Sequence, residues 1–312
     1  MKNQKAIYLI IAFLVVVLSG CDNTEDKKGR FLLKGNEKLK ENDTRSALEM
    51  YSEALKIDPD YRDARLNRGI VYQRLARLDE AIRDYSYILA QLPEDSLTLF
   101  QRGLAYLDNG EIYKSQADAE TILESYPEYW KGYFLHGLVQ EQFKNHDSAL
   151  DSFGKALSLE PNNPDLMVNQ ATIFYYKKNY DEAIRILTKA EQLNPKEANI
   201  FNLRSMIAFE NKAYEEALDW VEKAIANNPR QAFFYNNRGL YRLFTCDLEK
   251  GLDDINYSIK QDPKNLYALR NKGIYYVMKS EKELALRYLE DLYSKVPEME
   301  MVQNYLEKAH AL

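Results

Sequence analysis

Eight of the nine prolines recur at a fixed interval, and this interval constrains the fold more than any other feature of the chain. Proline lacks a backbone N–H and disfavours helix in the residue before it, so each one is expected to end a helix. A fixed period of about 20–50 residues is typical of solenoid arrays, in which neighbouring repeats share a core. The prolines follow one another every 34 residues, at Pro59, Pro93, Pro127, Pro161, Pro195, Pro229, Pro263 and Pro297.

Two further positions in each period hold small residues. Small side chains let two helices approach closely, which outweighs the roughly 1 kcal/mol helix penalty of an internal glycine. Each period therefore predicts one helix–turn–helix unit. The first position holds Gly35, Gly69, Gly103, Gly137, Ala171, Ser205, Gly239 and Gly273; the second holds Ala47, Ala81, Ser115, Ala149, Ala183, Ala217, Gly251 and Ala285.

This pattern resembles the tetratricopeptide repeat (TPR), and the stretches Asn67–Tyr72 and Asp181–Ile184 are similar to its consensus. The resemblance implies an all-α, right-handed α-solenoid of eight 34-residue helix–turn–helix repeats over residues 28–299. Residues 300–312 would form a C-terminal capping helix, whose helical spacing begins at Glu298. The repeats would span residues 28–61, 62–95, 96–129, 130–163, 164–197, 198–231, 232–265 and 266–299.

Repeat 7 departs from this pattern and is predicted to be the weakest repeat. Arg242, Gly251 and Ser258 stand at positions where other repeats carry packing residues.

The N-terminus has the features of an export signal. Lys2 and Lys5 precede an apolar run, 6–18, which is shorter than the ~20 residues a membrane span needs. The sequence Leu18-Ser19-Gly20-Cys21 resembles a bacterial lipobox, which implies a signal peptide over residues 1–20 and lipid on Cys21, followed by a short tether over residues 21–27. The alternative is an ordinary signal peptide, or a short anchor helix with a chance cysteine.

Lipid on Cys21 would place the protein in a bacterial cell envelope, on the periplasmic or the cell-surface side. Because stable anchoring needs about two acyl chains, diacylglyceryl and palmitate groups are expected there. Asp22 resembles an inner-membrane retention signal of enteric bacteria. Asp22, Glu25 and Asp26 together resemble a surface-export signal of other lipoproteins, so the choice of membrane stays open.

Composition and motifs argue against several classes of function. The net charge of −6 lacks the basic excess that nucleic-acid binding favours. His136, His146 and His310 have no metal-ligand spacing, and no phosphate loop or nucleophile elbow is present. We therefore expect no enzymatic activity, no cofactor and no metal. Cys246, at a turn of repeat 7, is interpreted as an unremarkable small residue, with an exposed thiol for intermolecular pairing as the alternative.

The family resemblance implies that positions 2, 5, 9, 12 and 13 of each repeat line a concave groove for a protein or peptide. Position 9 is mostly apolar here, and aromatic residues stand beside it, which favours an apolar peptide or an amphipathic helix as ligand. The alternative is that much of this stripe is helix-packing core. The candidate groove residues are Ile70, Phe100, Leu104, Phe134, Leu138, Tyr175, Tyr176, Met206, Phe209, Leu240, Phe244 and Ile274.

A second candidate set consists of side-chain amides in one register, which some family members use to hold the backbone of a bound peptide. The favoured alternative is that these amides are satisfied within the array. The carboxylate clamp of chaperone-binding relatives is not evident, because Leu32, Leu97 and Gln101 stand where it needs other residues. The amides are Asn67, Gln101, Asn169, Asn237 and Asn271, with Asn202 and Asn236 beside them.

The sequence thus predicts a lipid-anchored adaptor that binds protein partners in its groove. The alternative is a self-associating, homo-oligomeric lipoprotein of an envelope assembly or secretion complex.

Overall fold

The computed structural model describes residues 24–312, and these form seventeen α-helices with no strand among them. The all-α prediction of eight helix–turn–helix repeats followed by a capping helix is confirmed. The helices are α1 (Thr24–Lys40), α2 (Thr44–Ile57), α3 (Arg62–Arg74), α4 (Leu78–Gln91), α5 (Ser96–Asp108), α6 (Ile112–Ser125), α7 (Trp130–Gln142), α8 (His146–Leu159), α9 (Pro164–Tyr176), α10 (Tyr180–Leu193), α11 (Ala198–Glu210), α12 (Tyr214–Asn227), α13 (Ala232–Phe244), α14 (Leu248–Gln261), α15 (Leu266–Met278), α16 (Lys282–Lys295) and α17 (Val302–Ala311).

Odd-numbered helices α1 to α15 are the first helices of the repeats, and even-numbered helices α2 to α16 are the second helices. Small residues predicted from the period stand where helices touch, in most cases the two helices of one repeat. A Cβ atom added at Gly35 would lie 2.5 Å from the ring of Tyr51, and one at Gly137 would lie 2.5 Å from the ring of Phe153. Since Tyr51 and Phe153 are fully buried, these contacts are part of the core.

The turn between the two helices of each repeat contains one residue in the left-handed backbone region. This residue ends the first helix and reverses the chain, and glycine fills the position only at Gly110. The other turns place Asn42, Ala76, Lys144, Lys178, Lys212, Cys246 and Ser280 there.

The chain divides into two compact units. Unit 1 ends at Leu159, and its described part, residues 24–159, holds the first four repeats in several small apolar clusters. Unit 2, residues 160–312, holds repeats 5 to 8 and α17. In unit 2 one apolar cluster extends from Ala198 through Tyr241 and Ile274 to Tyr305 and Ala309 of α17.

Both ends of the repeat array differ from the sequence prediction. Helix α1 begins at Thr24, so the last residues of the predicted tether are helical, with Glu25 and Asp26 in the first turn, where the helix dipole favours acidic side chains. The capping helix begins at Val302 and not at Glu298. Residues 297–301 form turns, and Met301 has a left-handed backbone (φ 68°) that ends them.

Repeat 7 is closely packed at the positions that depart from the pattern, and its lower stability stays a prediction. A Cβ atom at Gly239 would lie 2.8 Å from the carbonyl oxygen of Gly251, so two glycines bring α13 and α14 into backbone contact. Arg242 donates from Nη1 to Asp254 Oδ2 at 2.7 Å, and Ser258 is fully buried. Gly251 and Arg242 thus make a glycine–glycine backbone contact and an ion pair in this repeat, and the 34-residue period alone does not predict either of them.

Candidate protein-binding surface

The predicted apolar stripe at position 9 is only partly accessible. Ile274 is fully buried and Leu240 is 5% exposed, because both lie in the apolar cluster of unit 2 with Tyr241 and Tyr305. The prediction that they line an open groove is therefore wrong. The four partly exposed position-9 residues in the predicted set are Ile70, Leu104, Leu138 and Met206.

Phe100, at position 5, is also buried (6% exposed) and belongs to an apolar cluster of unit 1. Its ring centroid lies 6.2 Å from that of Phe134, and Phe134 lies 6.2 Å from Trp130. The ammonium group of Lys131 lies 5.2 Å from the Phe100 ring and 5.7 Å from the Trp130 ring. Phe100 therefore contributes to the core beneath Lys131 and is no accessible anchor.

Positions 12 and 13 form a row of contacts between successive first helices, which we call the 12–13 row. Position 12 of one repeat meets position 13 of the next. The Tyr175 hydroxyl donates to Glu210 Oε1 at 3.5 Å, and the rings of Phe209 and Phe244 meet edge to face at 5.1 Å. Gln73 of repeat 2 likewise lies beside the Asp108 carboxylate of repeat 3. Each of these surface contacts is therefore made by two repeats.

Within unit 2 this row is rich in aromatic rings. Tyr175 lies 5.9 Å from Tyr180, while Phe209 lies 5.4 Å from Tyr214 and 5.0 Å from Tyr241. Three aromatic side chains of the first helices are exposed: Tyr176 (46%) at position 13, and Phe233 (36%) and Tyr267 (58%) at position 2. We call this set of first-helix aromatic residues, with Glu210, the aromatic face of unit 2.

Most of the candidate amides are bonded within the chain. Asn271 is fully buried and donates to Asn236 Oδ1 at 2.8 Å, and Asn237 donates to Asn202 Oδ1 at 2.9 Å. In unit 1, Asn67 donates to Asn36 Oδ1 at 3.0 Å. These amides join successive first helices. The hypothesis that they bind a ligand's backbone is wrong for the fully buried Asn271, and it stays a prediction for the partly exposed Asn67 and Asn237.

The two other candidate amides differ from this set. Asn169 donates to the Asp165 carbonyl of its own helix at 2.8 Å, and both Asn169 and Gln101 are partly exposed. Their proposed role in holding a peptide backbone stays a prediction.

Three carboxylates stand at positions 12 and 13, and the sequence reading missed them. Burial raises the pKa of Glu141. Burial, and secondly the nearby Glu300 carboxylate, raise the pKa of Glu210. The pKa of Asp108 is also raised, because surrounding protein displaces water although the side chain reaches the surface. Within residues 24–312 none of the three has a cation at ion-pair distance. An acidic residue at position 12 or 13 of a repeat is visible in the sequence and could have identified these carboxylates.

Some predictions concern other parts of the chain. Cys21, the predicted lipid site, lies outside the described residues. Cys246 is exposed and holds a left-handed turn position. Among residues 24–312 no helix has the length and apolarity of a membrane span, and no group of three potential metal ligands occurs there.

Comparison with known proteins identifies the family. A model described as tetratricopeptide repeat matches residues 100–164 and 168–232, and one described as TPR repeat matches residues 35–75, so the matches together cover more than half of the chain. The chain belongs to the tetratricopeptide-repeat family, whose fold is generally a non-catalytic scaffold for protein interactions.

Two curated relatives are similar over part of the chain. Hsp70-Hsp90 organizing protein 2 of Arabidopsis thaliana is 29% identical over 110 residues, which are 35% of this chain and 19% of the plant protein. The chain thus spans about a fifth of the plant relative's length. Type IV pilus assembly protein PilF of Pseudomonas aeruginosa is 26% identical over 187 residues, covering 54% of this chain and 73% of PilF.

A solved structure shares the fold. A chain of the APC/C hetero-tetramer Cut9-Hcn1 superposes with a TM-score of 0.72 at 16% sequence identity, covering 94% of this chain and 58% of the other. At this identity the likeness concerns the fold alone.

Proposed function

We propose that this protein is a lipid-anchored adaptor of a bacterial cell envelope that holds a protein or peptide segment on its first-helix surface. One observation carries the binding part of the proposal: the aromatic face of unit 2 exposes Tyr176, Phe233 and Tyr267. Exposed aromatic side chains are common anchors of protein-interaction sites.

The geometry favours a ligand that inserts apolar side chains between these rings. Tyr175 and Phe209 are half-buried, so a ligand reaches their edges, while Tyr241 beneath them is buried and supports the surface. The buried amides already have partners, so side-chain contacts and not an amide ladder would provide most of the affinity. An amphipathic helix or an extended apolar peptide meets this requirement.

The envelope part of the proposal rests on the N-terminal sequence. The Leu18–Cys21 motif supports lipid attachment at Cys21. Partial similarity to a protein named for type IV pilus assembly supports a role in assembling an envelope structure.

Selection of ligands from a random 12-residue peptide library tests the binding proposal. Peptides selected on the full chain should bind the Tyr176→Glu and Tyr267→Glu variants about 30-fold or more weakly than the wild type. A loss of this size is typical of a hot-spot residue. The control is Tyr293→Glu, on second helix α16, where the side chain is 40% exposed. Circular dichroism checks that each variant is folded.

Equal binding by wild type, Tyr176→Glu and Tyr267→Glu would contradict the proposal, as would an equal loss in Tyr293→Glu. Sedimentation of the free chain shows whether the aromatic face pairs with a second copy instead.

A further inference from the structure

Glu210 lies within the aromatic face of unit 2 and has no close positive partner. It ends α11, is half-buried, and accepts one long hydrogen bond, from the Tyr175 hydroxyl at 3.5 Å. Lys178 and Arg270 act on it only from beyond ion-pair distance, in the part of the chain that the structure describes. A half-buried carboxylate without a countercharge is unfavourable, and its raised pKa reflects that cost.

A second carboxylate reaches the same face from the C-terminal turn. Glu300 lies close enough to raise the pKa values of Glu210, Tyr175 and Tyr180. The turn that carries it is held by Arg270, whose Nη1 donates to the Glu300 carbonyl oxygen at 3.2 Å.

Arg270 does not neutralise this pair of carboxylates by direct contact. It is 6% exposed, and its Nε donates to Asn271 Oδ1 at 3.0 Å. Burial lowers the pKa of its guanidinium group. Its hydrogen bonds to Asn271 and to the Glu300 carbonyl make it a structural donor beneath the surface. Glu210 therefore keeps no ion-pair partner among residues 160–312, although Lys178 and Arg270 act on it from farther away.

Five rings at this face have no cation over them in the described part of unit 2. Elsewhere in unit 2, lysine and arginine groups lie over aromatic rings, for example Arg204 at 5.1 Å and Lys223 at 4.0 Å from Trp220. Within residues 160–312 no such contact involves the rings of Tyr175, Tyr180, Phe209, Tyr214 and Phe244.

From these contacts we infer that the aromatic face of unit 2 binds a peptide segment that places an arginine or lysine side chain between Glu210 and the neighbouring rings. The cation would gain an ion pair with the carboxylate and a favourable position on the tyrosine rings. Apolar residues beside it would cover Phe209 and Phe244. This inference rests on the proposed function and specifies the charge of the partner.

The residue content of selected peptides tests this inference. A random 12-residue phage library is selected on the full chain, on Glu210→Gln and on the control Glu215→Gln, which removes an exposed carboxylate of the adjoining second helix α12. Arginine and lysine should be enriched over the starting library on wild type and Glu215→Gln, and this enrichment should disappear on Glu210→Gln. A selected peptide should bind roughly tenfold more weakly after its basic residue is replaced by glutamine.

The two proposals fail in different ways. Selected peptides without basic enrichment, or with the same enrichment on Glu210→Gln, would overturn the inference even when Tyr176→Glu removes their binding and so supports the proposed function. A library that yields no binding peptide would overturn both.

Discussion

The side-chain amides of unit 2 form hydrogen bonds between successive first helices. Asn271 donates to Asn236 Oδ1 at 2.8 Å and accepts from Arg270 Nε at 3.0 Å, with no exposure to solvent. An amide can satisfy donor and acceptor groups together, which suits a buried position between two helices. The same residue type in the same register of repeat 5, Asn169, bonds only its own helix.

We therefore expect Asn271→Ala and Asn169→Ala to differ strongly in stability. Asn271→Ala leaves buried donors and acceptors without partners and should lower the free energy of unfolding by about 2–3 kcal/mol. Asn169→Ala, the matched control, should change it by no more than about 0.5 kcal/mol. Urea unfolding followed by circular dichroism measures both. Similar midpoints for the two variants would show that the Asn271 amide is not a stabilising link.

The amides also show where sequence reasoning ends. The period of the prolines and small residues predicted the helices, because each repeat encodes its own turn and its own close contact, such as that of Gly35 with Tyr51. Ile274 instead lies in an apolar cluster that includes Tyr305, which belongs to α17 beyond the last repeat. A residue's position within one repeat therefore does not decide its exposure.

At the scale of elements, α17 completes the core of unit 2. Val302 and Ala309 are fully buried and Tyr305 is 7% exposed. Tyr305 and Ala309 belong to the apolar cluster that includes Ile274 and Leu289. The last repeat of an array has an uncovered apolar surface unless a capping element protects it. The turns before α17 also hold Glu300 in place through Arg270.

Truncating the Tyr305 side chain should therefore destabilise unit 2. We expect Tyr305→Ala to lower the free energy of unfolding by about 3 kcal/mol, since large buried aromatic residues typically cost 3–5 kcal/mol when replaced by alanine. Gln303→Ala, on the exposed side of the same helix, is the control. Hydrogen exchange should show the loss of protection in α15 and α16. Unchanged protection there would contradict a stabilising role for the cap.

At the scale of the whole molecule, the chain has two predicted sources of contact with its surroundings. One is the first-helix surface, described above for each unit. The other is the N-terminal motif ending at Cys21, which lies outside the described residues. The overall net charge of −6 is in keeping with a partner that carries basic groups, as inferred for the aromatic face of unit 2.

Replacing each of the two cysteines separately distinguishes lipid anchoring through Cys21 from other kinds of membrane association. Cys21→Ala should move the protein from the membrane fraction to the supernatant and abolish labelling with radioactive palmitate, because the thiol that would carry the lipid is gone. Cys246→Ala, which removes the exposed thiol of unit 2, should leave both properties unchanged. Continued membrane association of Cys21→Ala would point to an uncleaved N-terminal segment.

The 12–13 row has a consequence for how such arrays diversify. Because Tyr175 of one repeat meets Glu210 of the next, each of these pairs is encoded by two repeats. Tandem duplication of repeat 5 alone would create a new junction at which a copy of Tyr175 faces a copy of Tyr176. A gene that gains a repeat thus lengthens its scaffold and acquires an untried surface pair in the same event, without any point mutation.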